Sequence, residues 1–225
     1  AVTDGILVEV ARHWRTVKVE DGGKRFRAQP GVIGASVNNA LRPYRVKMGP
    51  DPASINTCTM GGILSNNSSG MCCGVTQNAY HTLESLTFLL PSGTRIDTAA
   101  PGADERFRAA EPALWQGLLD LKARLQAAPA LATRIRSKYR MKNTTGYSLN
   151  AFLDFATPVE IFRNILVGAE GTLAFIAEAV LSTVPDLPVK YTGLLLFPTM
   201  HAACAAIVPL RDSGAKALEL LDRAS

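Results

Sequence analysis

Cysteine and histidine are scarce in this chain, with four and three residues among 225, and neither shows the CxxC or Cys/His spacing that zinc or an iron–sulfur cluster requires. No metal site is therefore expected. Cys72 and Cys73 are adjacent, a geometry in which a disulfide is strained, so Cys58, Cys72, Cys73 and Cys204 read as reduced, apolar-packed thiols of a cytoplasmic protein. No stretch of 18 apolar residues offers a membrane-spanning helix, and the opening AVTDGILVEV is not a signal peptide. Aromatic residues are few, at 7%. The Lys and Arg residues that give a net charge of +5 are spread along the chain without interleaved aromatics, which favours a solvated surface over a nucleic-acid site. The chain starts without methionine in strand-like sequence and stops at LELLDRAS without a break in pattern, so both ends read as cuts inside a longer protein.

What is present is concentrated in residues 49–75, GPDPASINTCTMGGILSNNSSGMCCGV, where Asp51 is the lone charge. Gly61 and Gly62 have no Cβ and allow a ligand to approach the main chain. Gly70 and Gly74 permit the positive φ of tight turns. Ser54, Thr57, Thr59, Ser65, Asn66, Asn67, Ser68 and Ser69 supply short donors and acceptors. A helix starting near Thr59 would add free amides and a positive dipole end. The run reads as a cofactor cradle that holds by backbone contact; an ordinary surface loop is the alternative that composition alone leaves open.

With 47% apolar residues the chain can bury one good core and begin a second. Residues 5–10, 16–20 and 24–29 are β-prone, with Asp21-Gly22-Gly23 a hairpin signal between the last two. Residues 33–44 space their apolar side chains for a helix. Residues 82–90 and 94–98 form a hairpin about Pro91-Ser92-Gly93, and 104–127 predict one amphipathic helix with Asp104 at its N-cap and Trp115 in the core. A basic stretch at 134–142 reads as a solvated helix face or a nucleic-acid patch. A short helix is predicted at 158–165, then a turn flanked by Gly168 and Gly171 and a β-run over 172–184. Beyond Pro185 and Pro188 a strand over 191–197, a helix over 201–211 and a strand over 216–221 are expected. None of His13, His81 and His201 sits in a motif for a base or metal ligand.

Three stretches carry a resemblance. Pro50-Asp51-Pro52-Ala53-Ser54, then Thr59-Met60-Gly61-Gly62, then Asn66-Asn67-Ser68-Ser69-Gly70 resemble the second flavin-contacting segment of the FAD-linked oxidases, those with the p-cresol methylhydroxylase or vanillyl-alcohol oxidase type of FAD domain. Lys142-Asn143-Thr144-Thr145-Gly146-Tyr147-Ser148-Leu149 and Gly168-Ala169-Glu170-Gly171-Thr172-Leu173 are similar to motifs of the bacterial D-lactate and D-2-hydroxy-acid dehydrogenases in that family, some of which carry a C-terminal iron–sulfur domain. Ala169 replaces a serine frequent in the family.

The resemblance implies an α+β fold: an antiparallel or mixed sheet flanked by helices, forming the second subdomain of the FAD-binding domain over 1–185, with a truncated start of the substrate domain over 186–225. It implies FAD contacts at Pro50, Asp51, Ser54, Thr59, Gly61, Gly62, Asn66, Ser69, Gly70, Gly168, Gly171, Thr172 and Ile176, with Glu170 structural at its turn. Arg140, Lys142 and Thr145 are candidates for a substrate carboxylate, the choice of basic residue being open. The implied reaction is hydride transfer from a D-2-hydroxy acid to flavin N5. The base, the pyrophosphate loop and any iron–sulfur or electron-acceptor partner would lie outside this chain, leaving it inactive alone and weak in FAD binding. The implied location is the cytoplasm, with peripheral attachment to the inner membrane as the alternative for the intact protein. Two rivals are an FAD-domain transferase of the alkyl-dihydroxyacetone-phosphate synthase type and a non-catalytic binding module.

Overall fold

The structure, a computed structural model, describes residue 5 and residues 7–222. Its centre is one long strand. Strands β1 (Val17–Glu20), β2 (Arg25–Ala28), β3 (Val46–Met48), β4 (Leu83–Leu89), β5 (Arg95–Asp97) and β6 (Phe175–Pro185) form a sheet in the order β1-β2-β6-β4-β5, with β3 paired to the far end of β6. Every pairing is antiparallel. The 11 residues of β6 thus hold β2 on one edge, β4 on the other and β3 at the end.

Local chemistry explains the connections. Asp21, Gly22 and Gly23 take φ of 49°, 63° and 95°, and a Cβ on Gly23 would stand 2.5 Å from that of Tyr44. The hairpin turn there is as the Asp-Gly-Gly signal predicts. Arg27 on β2 bridges Glu20 at 2.9 Å and Glu178 at 2.6 Å, tying three neighbouring strands. Its hydrogen bond holds the Glu20 carboxyl below the ordinary range despite the opposing effect of burial.

Helix α1 (Gly34–Leu41), extended by a 3-10 turn to Tyr44, packs beside β3 and β1. Helix α2 (Met60–Ser65) starts at Thr59, as the sequence suggests, and α3 (Ala79–Thr82) leads into β4. The single helix predicted over 104–127 is two, α4 (Ala103–Ala110) and α5 (Pro112–Gln126). Pro112 supplies no amide and pushes Glu111 out of the helical region, to φ −135° and ψ 60°. Asp104 is not the N-cap, which is Gly102. It instead accepts from Trp115 Nε1 and from the Val159 amide, both at 2.9 Å. Helices α6 (Pro129–Lys138), α7 (Ala151–Asp154) and α8 (Pro158–Ile165) follow. Helix α8 opens on a Thr157/Glu160 capping box with Pro158 in its first turn.

Helices α4 and α8 lie against β5 and β4, with α5 behind them. Phe88, Phe107 and Phe162 meet where sheet and helices join, at centroid separations of 5.1–6.1 Å. Toward the ends the expectations fail. Of the strand expected at 5–10, residue 6 lies outside the described residues and 7–10 are not strand. After β6, helix α9 (Met200–Asp212) forms, but 191–197 and 216–221 are not strands. A strand requires an edge to pair with, and Tyr191, Leu194 and Leu196 stay exposed without one.

Phe107→Ala removes a fully buried ring from the aromatic junction. It should lower unfolding free energy by about 3–5 kcal/mol in urea titration, and a loss below about 1 kcal/mol would show that the helices are not held to the sheet there.

Candidate flavin-facing site

The three motifs that stand apart in sequence meet in the fold. Helix α2 is short, and its last carbonyls draw on donors both local, with the Asn67 amide on Leu64 O at 3.0 Å, and distant. The Gly168 amide donates to Leu64 O at 3.0 Å and the Glu170 amide to Ser65 O at 2.8 Å. Asn66 Nδ2 donates to Glu170 Oε1 at 2.7 Å, giving Glu170 the structural role expected of it. The turn reaches these carbonyls through Gly168, Glu170 and Gly171 at φ of 91°, 52° and 72°. The 142–149 stretch joins the same turn, Tyr147 OH lying 2.9 Å from Thr172 Oγ1 and Ser148 Oγ donating to Val167 O at 2.9 Å.

The free amides expected at the start of α2 are not free. Met60 donates to Val32 O, Gly61 to Pro30 O, Gly62 to Thr59 Oγ1 and Ile63 to Thr59 O. The segment preceding α1 occupies the helix start, so no anion is held there. Unpartnered amides lie elsewhere: those of Ser69, Met71, Gly171 and Leu173 donate to nothing among the described residues.

The predicted contact residues divide by depth. Ser54, Gly62, Asn66, Gly171 and Thr172 are exposed. Asp51, Thr59, Gly61, Ser69 and Gly70 are half-buried, and Pro50, Gly168 and Ile176 are buried. Ile176 pairs with Phe88 inside the sheet, so its side chain serves the core. Ser54 belongs to a separate turn, its carbonyl accepting from Thr57 and Cys58. A Cβ on Gly70 would fall 2.0 Å from Asp51 O, so this glycine is required by the chain's own packing. Gly62 differs: a Cβ there meets only Thr59 Oγ1 at 3.5 Å, and at Gly171 it meets nothing within 4 Å.

The exposed face therefore offers backbone at Gly62, amides at 69, 71, 171 and 173, and the side chains of Asn66 and Thr172. Ser69 Oγ and Asp51 Oδ1 are buried without a partner beside it. A flat, hydrogen-bonding group with little charge suits such a surface, and the isoalloxazine of FAD fits that description.

Sequence reasoning missed Tyr80 and Tyr139, the supports behind this face. The Tyr80 amide donates to Asn67 Oδ1 at 3.2 Å, and its hydroxyl to Asp154 Oδ2 at 2.8 Å. Burial, then the neighbouring Asp154 carboxylate, pushes the Tyr80 hydroxyl far above the usual phenol range. Tyr139 OH donates to Tyr147 O at 2.7 Å and accepts from the Leu149 amide at 3.2 Å, clamping the 142–149 stretch onto α6. Nothing in local sequence marks either tyrosine, because both bonds span loops. Arg140, Lys142 and Thr145 are exposed on that stretch, and no side-chain partner holds the two cations among the described residues.

Residues 1–99 match the family model described as FAD binding domain. The chain is 26% identical over 197 residues to the D-2-hydroxyglutarate dehydrogenase of Pseudomonas putida, covering 87% of this chain and 19% of that protein. It is 27% identical over 226 residues to the enzyme of the same name from Pantoea ananatis, covering 99% and 22%. Among solved structures, alkyldihydroxyacetonephosphate synthase aligns with a TM-score of 0.50 at 20% identity, over 90% of this chain and 27% of that one. This last likeness concerns the fold. The chain spans about a fifth of the length of the two dehydrogenases.

Adjacent glycines should respond oppositely. Gly61→Ala places a Cβ 2.9 Å from that of Pro30 and 3.2 Å from its carbonyl and should cost about 1–3 kcal/mol. Gly62→Ala should stabilise α2 by about 0.5–1 kcal/mol. Equal effects in denaturant titration would contradict this packing. For Tyr80, the folded-state value lies above the ordinary one, so its stabilisation is whole below about pH 10 and is lost as pH rises beyond it. Wild type should lose stability between pH 9 and 11 more steeply than Tyr80→Phe; parallel curves would remove the hydroxyl from the account.

Proposed function

We propose that this chain, similar to the FAD binding domain family over residues 1–99 and to D-2-hydroxyglutarate dehydrogenases over most of its length, is the FAD-binding part of an oxidoreductase acting on a D-2-hydroxy acid. The observation that carries the reading is the union of the 59–70 and 168–172 segments through the Gly168 and Glu170 amides. This union turns two glycine-rich loops into one exposed donor surface. Bound FAD would supply the hydride acceptor.

The chain's own residues then have separable tasks. Gly62, Asn66, Ser69, Gly171 and Thr172 form the contact face, with Gly70 packed on Asp51 beside it. Pro50, Asp51, Thr59, Gly61, Gly168 and Ile176 hold that face in shape from behind, and Ser54 shapes the loop that leads to it. Unpartnered amides at 171 and 173 favour negative charge developing on an edge laid against them. Thr145 receives one substrate carboxylate, with Arg140 or Lys142 as its basic partner, through charge-assisted hydrogen bonds. The likeness to the two D-2-hydroxyglutarate dehydrogenases supports a 2-hydroxy acid over other substrates. Residues 1–185 are assigned to the FAD domain and 186–225 to the start of a substrate domain.

Titration with FAD, followed by flavin fluorescence, tests the cofactor assignment on the 225-residue chain and on a protein of the relatives' full length. Thr172→Val and Asn66→Ala should each weaken binding about tenfold in whichever binds, since each removes a positioned polar contact. The full-length protein should reduce a dye acceptor with D-2-hydroxyglutarate or D-lactate. Absence of FAD binding from both proteins would overturn the reading, and binding without turnover of any D-2-hydroxy acid would overturn the substrate assignment.

A further inference from the structure

Lys and Arg occur along the whole chain, but one segment has them without any acidic residue between. Between Asp120 and Asp154 there are seven Lys and Arg residues and no Asp or Glu, more than the whole chain's net charge of +5. Lys122 is engaged, donating to the carbonyls of Phe155 and Ala156. The side chains of Arg134, Lys138, Arg140 and Lys142 form no ion pair or hydrogen bond among the described residues. Holding like charges on adjacent turns without counter-charges is unfavourable, so an anion brought there would relieve it.

The fold gives two of these cations a concave setting. Arg134 and Lys138, one turn apart on α6, line a cleft of about 390 Å³ with Leu131, Ile135, Tyr139, Thr145, Gly146, Tyr147 and Leu149. The volume lies within the range of small-ligand sites, and the mixture of apolar wall with few polar groups is typical of them. Helix and loop bring different groups to the cleft. On the helix side are the guanidinium of Arg134 and the ammonium of Lys138. On the loop side are the Thr145 hydroxyl and the amides of Thr145, Gly146 and Tyr147, which donate to nothing among the described residues. Gly146 turns the loop there with φ of 73°. The apolar lining includes Ile135, which is buried, and Leu149, which is exposed.

A ligand complementary to this arrangement has an anionic group at each end and a short hydrocarbon body between. We infer that the cleft between α6 and the 145–149 loop binds a small organic dicarboxylate, one carboxylate on Arg134 and Lys138 and the other on the loop amides and Thr145. That the dicarboxylate is a 2-hydroxy acid rests on the function proposed above; the cleft's preference for two carboxylates does not. Through the Tyr147 hydroxyl at 2.9 Å from Thr172 Oγ1, the loop wall of the cleft is also the neighbour of the flavin-facing turn. Arg134 and Lys138 would then set specificity for diacids over lactate-sized monoacids.

Calorimetric titration of the 225-residue chain with glutarate, D-2-hydroxyglutarate, D-lactate and inorganic phosphate tests this directly. The two dicarboxylates should bind about tenfold or more tightly than lactate and phosphate, by the loss of one charge-assisted contact. Arg134→Gln and Lys138→Gln should each remove that preference. Arg136→Gln, which loses the same charge on the same helix outside the cleft, should keep it. Circular dichroism should be unchanged for all three, because the side chains are exposed. No dicarboxylate binding, equal binding of all four anions, or equal loss in Arg136→Gln would overturn the site. Dicarboxylate binding by a chain whose full-length form binds no FAD would keep the cleft and discard the oxidoreductase reading. FAD binding and turnover with no dicarboxylate preference would do the reverse.

Discussion

Two backbone hydrogen bonds, from the amides of Gly168 and Glu170 to the carbonyls of Leu64 and Ser65, are the constraint on which the functional surface depends. The Leu64 carbonyl accepts from both the Asn67 and the Gly168 amides and the Ser65 carbonyl from Glu170, and the turn that supplies the two distant donors adopts left-handed conformations at three of four consecutive residues. Glycine meets that demand at 168 and 171 without steric cost. Glu170 does not, and it is held by its amide bond to Ser65 and its carboxylate bond from Asn66. The same turn leads directly into β6, so the strand that organises the sheet also fixes where the loops meet.

This explains why much of the arrangement was legible in sequence and some was not. Asp21-Gly22-Gly23, the Pro91-Ser92-Gly93 hairpin and helix α8 with its Thr157/Glu160 box are local, and local chemistry decides them. The 104–127 helix was misread although Pro112 was visible, because the apolar spacing runs on across the break. Local chemistry marks the start of α2 but not the fate of its amides, since the segment at Pro30 and Val32 that accepts two of them lies far away in sequence. Ile176 fitted a motif yet belongs to the core. The strands expected after Pro188 have the composition of strands but no sheet edge to join.

The layers of the site follow from charge as well as geometry. The loops proposed to face the flavin carry almost none, which suits a surface reading a flat, polar ring through backbone amides. Four cations, Arg134, Arg136 and Lys138 on α6 and Lys142 on the 142–149 stretch, stand nearby, and Tyr139 and Tyr147 tie that stretch to both neighbours. In the proposed reading, cofactor and anion recognition fall to adjacent segments joined by the Tyr147 and Thr172 hydroxyls. The Phe88, Phe107 and Phe162 junction anchors the helices behind them.

The most direct test of the central claim is an amide-resolved NMR titration with FAD. If the joined loops form the cofactor face, perturbations will cluster at Gly62, Asn66, Ser69–Met71 and Gly171–Leu173, two stretches about a hundred residues apart responding together. Perturbation confined to Met60 and Gly61 at the start of α2, or to residues after Pro185, would contradict the account.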